Sequence, residues 1–217
     1  MDSSVFLETL QQQRAIAVLR AHRVDLGLRM AEAVAAGGVR LIEITWNSDQ
    51  PDTLVDHLRH ALPHCWIGVG TVLSVADGQA AMAAGAEFGF SPHTDPDLLR
   101  WAVDRQWPLV PGALTPSEIA AAWRTGAPAV KVFPVWAMGG PSYLRSLQAP
   151  LGQIPLVPTG GLTVDQAEAM LQAGATAVGL STGLFPPEAV AQGNWDSITD
   201  LAQRLVNICQ AATPIKP

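Results

Sequence analysis

Lysine is scarce in this chain: of 13 basic residues only Lys131 and Lys216 are lysines, and Lys216 is one residue from the end. Lys131 stands in the apolar run Ala129-Val130-Lys131-Val132-Phe133-Pro134. An ammonium in such surroundings loses hydration, which favours the neutral amine, a nucleophile able to form a Schiff base with a ketone. The competing reading is a strand-end lysine that snorkels to solvent or pairs with a carboxylate. Glu43, in Leu41-Ile42-Glu43-Ile44-Thr45, is a carboxylate in mid-strand with isoleucines on either side. Strand alternation puts Leu41, Glu43 and Thr45 on one face. If that face is shared with Lys131, Glu43 can move protons while a Schiff base forms and breaks. A purely structural ion pair with Lys131 or an arginine is the alternative.

Other polar groups sit at the ends of apolar runs. Arg20 and Thr71 offer a guanidinium and a hydroxyl that suit a substrate carboxylate. The turns Pro158-Thr159-Gly160-Gly161-Leu162-Thr163 and Gly179-Leu180-Ser181-Thr182-Gly183 allow close backbone approach by an anion and open toward helices. Ordinary tight turns would read the same way. Ser91-Pro92-His93 and Pro111-Gly112 shape the remaining ends, with His93 read chiefly as a solvated loop histidine. His57, His60 and His64 have helical spacing, but Pro63 interrupts the segment and no carboxylate cluster accompanies them, so no metal site is expected.

The elements that must position these groups follow from a recurring junction. Ala36-Gly37-Gly38-Val39, Ala84-Gly85-Ala86, Thr125-Gly126-Ala127 and Ala173-Gly174-Ala175 each close a helical pattern and open an apolar run, as a glycine cap does. Their glycines are 48, 41 and 48 residues apart, room for two βα units each. Strands are expected over 15–20, 39–46, 66–72, 88–92, 109–113, 129–134, 156–160 and 177–182. Helical patterns, for example over 25–36, 75–84 and 164–173, fill the intervals, and a short helix over 3–13 precedes them. Eight alternating βα repeats point to an α/β protein of the (β/α)8 TIM-barrel type over about 15–211, in a single domain spanning 1–217. A doubly wound open sheet is the alternative. In a barrel, active sites lie at the C-terminal strand ends, and phosphate sites often follow strands seven and eight.

Composition narrows the partners. With 217 residues and 48% of them hydrophobic, the chain can bury a large core, which excludes a disordered protein. A net charge of −6 opposes electrostatic binding of nucleic acid or anionic lipid. Cys65 and Cys209 form no metal-ligand spacing and no disulfide framework, and the N-terminus does not read as a signal peptide. The longest uncharged stretches are broken by glycine and proline, unlike a membrane helix. A cytoplasmic protein acting on a small molecule is expected.

Taken together, the ordered segments Ala17-Val18-Leu19-Arg20, Gly37-Gly38-Val39, Ile42-Glu43-Ile44-Thr45, Gly68-Val69-Gly70-Thr71-Val72, Ser91-Pro92-His93, Pro111-Gly112, Lys131-Val132-Phe133-Pro134 and Pro158-Thr159-Gly160-Gly161 resemble the bacterial 2-keto-3-deoxy-6-phosphogluconate (KDPG) aldolases, which include the 4-hydroxy-2-oxoglutarate aldolases. The resemblance runs from about Ile16 to Leu184 and implies a metal-free, cofactor-free class I aldolase on a (β/α)8 barrel, usually a homotrimer. It makes Lys131 the Schiff-base lysine and Glu43 the general acid/base. Arg20 and Thr71 would hold the pyruvate carboxylate, Pro92 and Phe133 would line the site, and Gly160, Gly161, Ser181 and Thr182 would receive the distal phosphate. Many relatives carry an arginine where this chain has Trp46-Asn47, and others rely on one at the Arg20 position. The family's last turn commonly reads Gly-Ser where this chain has Ser181-Thr182. Cleavage of KDPG to pyruvate and glyceraldehyde 3-phosphate is the expected reaction. Cleavage of 4-hydroxy-2-oxoglutarate or decarboxylation of oxaloacetate would use the same lysine. A phosphosugar isomerase or epimerase would need Glu43 without a covalent lysine, and a barrel that merely binds sugar phosphate would need neither.

Overall fold

Apolar five-residue runs and amphipathic helices alternate along the chain, and the computed structural model, which describes residues 2–212, arranges them as parallel strands covered by helices. Lys216 lies outside the described residues. In chain order the elements are α1 (Ser3–Gln13), β1 (Ala15–Leu19), α2 (Val24–Ala36), β2 (Leu41–Thr45), α3 (Pro51–Ala61), β3 (Trp66–Gly70) and α4 (Val75–Ala83). There follow β4 (Gly89–Phe90), α5 (Pro96–Asp104), β5 (Leu109–Val110), β6 (Gly112–Ala113), α6 (Pro116–Arg124), β7 (Val130–Val132) and α7 (Pro141–Leu151). The chain continues through β8 (Leu156–Pro158), α8 (Ala167–Gln172), β9 (Val178–Leu180), α9 (Pro187–Gln192) and α10 (Trp195–Ala211).

Helix starts carry recognisable chemistry. Asp95 accepts from the amides of Asp97 and Leu98 at the start of α5, and Thr115 with Glu118 forms a reciprocal cap on α6. Such caps satisfy amides that have no partner inside the helix. Proline occupies the first turn of α3, α5, α6, α7 and α9, where its missing N–H costs nothing. At the first of the four glycine junctions the left-handed residue is Gly38, with φ +94°, rather than Gly37.

The strands form two parallel sheets, one in the order β5-β4-β3-β2-β1-β9 and one in the order β6-β7-β8. This differs from the single set of eight longer strands read from the sequence. The run over 109–113 is divided at Pro111, and the runs over 88–92, 129–134 and 177–182 keep only their central residues in the ladder. Proline has no N–H to donate, and the outer residues bend away into the loops that carry the polar groups. The helical pattern over 164–173 likewise begins as a 3-10 turn over Val164–Gln166 before α8. The two sheets approach at both seams. Thr159 pairs with Gly179 in a parallel bridge, while the Ser91 amide donates to the Val110 carbonyl at 3.1 Å and the Lys131 amide to the Pro111 carbonyl at 2.9 Å.

Alternation sorts the strand residues into two cores. Ala17 and Leu19, Ile42 and Ile44, Ile67 and Val69, Val130 and Val132, and Val178 and Leu180 face the helices in the larger core. Their neighbours Ile16 and Val18, Leu41, Phe90, Val110, Val157 and Ala177 face the other way, into a smaller core completed by Phe6 and Leu10 of α1. Phe6 and Phe88 pack with ring centroids 5.3 Å apart, so α1 lies against the N-terminal ends of the strands. The inner face is apolar at that end. Further along, the same face presents Arg20, Glu43 and Thr159, two residues after Val18, Leu41 and Val157, and Ser181, four after Ala177. Among the described residues no helix is long and apolar enough to cross a membrane.

Candidate active site

The inner face ends in a cavity of about 230 Å³ at the C-terminal side of the strands. All ten residues singled out in the sequence line it: Lys131 and Glu43, Arg20 and Thr71, Pro92 and Phe133, and Gly160, Gly161, Ser181 and Thr182. Val18, Thr45, Thr159 and Leu162, which stand in the sequence motifs without an individual role, also line it. Two of these were within reach. Thr45 shares the face of Glu43, and Thr159 follows Val157 by one alternation. His93 is exposed, in keeping with a loop histidine, and lies outside the lining.

Lys131 is held mid-strand in β7, between β6 and β8, where Gly112 and Val157 are its register partners. It is 6% exposed, and its ammonium lies 5.1 Å from the Phe133 ring centroid and 5.9 Å from that of Phe90. Aromatic faces attract a cation without supplying a proton acceptor. Glu43 is 1% exposed, in the middle of β2. Its Oε1 is buried without a hydrogen-bond partner among the described residues. Burial pushes the Glu43 carboxyl above its ordinary range, and the positive charges of Lys131 and Arg20 pull it back only in part. Neither Glu43 nor Lys131 takes part in a salt bridge among the described residues, so the structural ion pair is not formed. A carboxyl whose burial favours its protonated form, with a free oxygen and beside an amine, can both donate and accept a proton at one substrate atom.

The neighbours of Glu43 are shaped around it. A Cβ on Gly70 would fall 1.7 Å from Glu43 Oε1, so only glycine leaves room at the end of β3. Thr71 then adopts φ +60°, a left-handed conformation that is strained for a β-branched residue. Such strain costs of order 1–3 kcal/mol and is found where the surrounding structure fixes a functional group. Arg20 is exposed and reaches from β1 toward the end of β2, where its Nε donates to Thr45 Oγ1 at 3.4 Å. Thr45 Oγ1 lies 3.2 Å from Ser48 Oγ, which accepts from the Ala21 amide at 3.2 Å. Arg20 is thus propped beside the segment that holds Asn47.

On the opposite side, Gly160 and Gly161 have φ +94° and +78°, and the Cβ of any other residue would press on Phe133 and Trp136 respectively. The turn after β9 is closed by the Leu184 and Phe185 amides, both donating to the Ser181 carbonyl at 2.9 Å. One end of the cavity therefore carries a carboxyl, an amine and a guanidinium, while the other is bounded by glycine backbone and two hydroxyls.

The sequence model of the family described as KDPG and KHG aldolase matches residues 7–201. The chain belongs to the KDPG and KHG aldolase family. Within it, the chain is 35% identical over 199 residues to the 2-dehydro-3-deoxy-phosphogluconate aldolase of Pseudomonas aeruginosa, covering 91% of this chain and 90% of that one. The KDPG aldolase of Legionella pneumophila, solved with pyruvate captured as a covalent carbinolamine, superimposes with a TM-score of 0.85 at 29% identity, covering 92% of this chain and 97% of that one. The KDPG aldolase of Zymomonas mobilis ZM4, solved with 3-phosphoglycerate, gives a TM-score of 0.83 at 26% identity and covers 96% of each chain. Membership in this aldolase family makes the chain a lyase and its fold the parallel α/β fold of those enzymes.

Proposed function

We propose that this chain is a Schiff-base aldolase that cleaves KDPG to pyruvate and glyceraldehyde 3-phosphate. One observation carries the reading: a buried lysine amine and a buried, unpartnered carboxyl share a small cavity, in a chain of the KDPG and KHG aldolase family. Lys131 adds to the C2 ketone, and Glu43 protonates the departing hydroxyl so that water leaves and the iminium forms. Removal of the C4 hydroxyl proton breaks the C3–C4 bond, whose electrons pass into the iminium to give an enamine. Glyceraldehyde 3-phosphate leaves, the enamine is protonated at C3, and hydrolysis returns pyruvate and free Lys131. Arg20 and Thr71 hold the carboxylate, Pro92 and Phe133 flank the ketone, and Gly160, Gly161, Ser181 and Thr182 receive the phosphate. No metal or organic cofactor is needed for these steps, because the iminium is the electron sink.

The family description also names KHG, and cleavage of 4-hydroxy-2-oxoglutarate needs the same lysine and arginine without the phosphate turns. We further infer that the two sheets close into one eight-stranded barrel in a single cytoplasmic domain, with β5 and β6 acting as one strand around Pro111. The Thr159–Gly179 bridge and the amide bonds flanking Pro111 support that closure. Trp136 and Met138, 46% and 44% exposed beside the Gly160-Gly161 turn, support contact with further copies, and a homotrimer is the expected assembly, to be checked by light scattering.

Borohydride reduction with pyruvate, followed by intact mass and peptide mapping, tests the chemistry. A single adduct on Lys131 is expected. Folded protein that forms no adduct would overturn the aldolase reading and turn attention to isomerase assays.

A further inference from the structure

The catalytic cavity has a larger neighbour. Beyond Arg20, Ser181 and Thr182, which line both spaces, a second cavity of about 800 Å³ opens between α2, α9 and the start of α10. Its walls are mainly apolar, built from Leu26, Met30, Phe185, Val190 and Trp195. Met30 and Phe185 belong to the main core, while Leu26, Val190 and Trp195 are partly buried against it. Its charged side chains are Arg20 and Arg23, and Arg23 is tied to Asp25 at 2.5 Å. The space is half open to solvent and of a size that takes a drug-sized ligand.

A phosphorylated three-carbon aldehyde has no use for such a space. Its charged end is satisfied by turn amides and hydroxyls, and an apolar wall offers it nothing. Two of the three residues shared by the cavities, Ser181 and Thr182, are those assigned above to the distal end of the substrate, and the third, Arg20, stands at its carboxylate end. An aldehyde fragment extending from the reacting carbon toward Ser181 and Thr182 therefore borders the chamber. Apolar surface moved from water into it is stabilised in proportion to the area covered.

We propose that this chamber is an apolar subsite for the aldehyde fragment, so that the enzyme also cleaves and forms 4-hydroxy-2-oxo acids bearing an aromatic or branched-alkyl group at C4. The assignment rests on Lys131 chemistry as proposed above. In the forming direction, C3 of the pyruvate enamine attacks the carbonyl carbon of benzaldehyde and makes the C3–C4 bond. The oxygen takes a proton from the Glu43 carboxyl. One water hydrolyses the iminium, releasing 4-hydroxy-2-oxo-4-phenylbutanoate and the free amine, and no oxidant or reductant enters.

The test compares cleavage of 4-hydroxy-2-oxo-4-phenylbutanoate with cleavage of KDPG by the full chain, measured as pyruvate released. Val190→Trp and Ala191→Trp fill the chamber from α9, the second from an exposed position that tolerates bulk. Turnover of the phenyl substrate is expected, with its kcat/KM relative to that of KDPG lowered about tenfold or more in both variants. Pyruvate trapping on Lys131 is run in parallel. No trapped adduct overturns both the aldolase reading and this one. A trapped adduct with no phenyl turnover, or with the ratio unchanged in both variants, overturns the chamber assignment alone.

Discussion

Burial holds the Glu43 carboxyl above the usual carboxylate range, and its behaviour follows from that. Glu43→Gln keeps shape and a hydrogen-bond donor but cannot relay a proton, so kcat should fall by about 100- to 10,000-fold while pyruvate trapping persists. The same substitution has a thermodynamic signature. Folding raises this carboxyl above its ordinary 4.5, so the folded state holds a proton that the unfolded state has released. Stability associated with Glu43 is therefore complete below that ordinary value and is lost as pH rises through the raised one. The Tm of Glu43→Gln relative to the parent should climb as pH increases from below 4.5, and a flat difference would contradict the raised carboxyl. Lys131→Ala should abolish both turnover and trapping. These residues were legible in the sequence because a lone lysine and a lone glutamate interrupt apolar strands. Thr159 was within reach by alternation from Val157, but inside a glycine turn it reads as part of the loop rather than as the inward residue just after β8.

At the level of elements, β2 and β3 act as one device. Gly70 leaves the space that Glu43 fills, and Thr71 accepts an unusual backbone angle directly after it. Gly70→Ala should force the carboxyl aside, lowering kcat/KM at least ~tenfold with a stability loss of about 1–3 kcal/mol, by steady-state kinetics and urea unfolding. The alternation of apolar strands and alanine-rich helices announced most of these elements in advance. Their lengths were less readable. Whether a residue stays in the ladder depends on the partner strand, so Pro111 divided one strand and the runs at 129–134 and 177–182 were trimmed at both ends. The chamber beside α9 had no sequence signature, since Leu26 of α2 is far in sequence from Val190 and Trp195 and each alone reads as ordinary core.

For the whole molecule, α1 is the element that no βα repeat requires. Phe6 and Leu10 are fully buried among inward residues of the strands, and Phe6→Ala should cost about 3–5 kcal/mol in urea unfolding while leaving KM for substrate unchanged. Helix α1 fills the N-terminal end, and the catalytic cavity lies at the C-terminal side of the strands. The covalent bond proposed at Lys131 imposes a sequence on departure. The three-carbon acid stays attached to the lysine after the C3–C4 bond breaks, so the aldehyde must leave first. Product inhibition should then be unequal. Pyruvate, the last to go, should compete with the intact sugar acid for free enzyme, whereas glyceraldehyde 3-phosphate should inhibit noncompetitively by meeting the enzyme while its partner product is still bound.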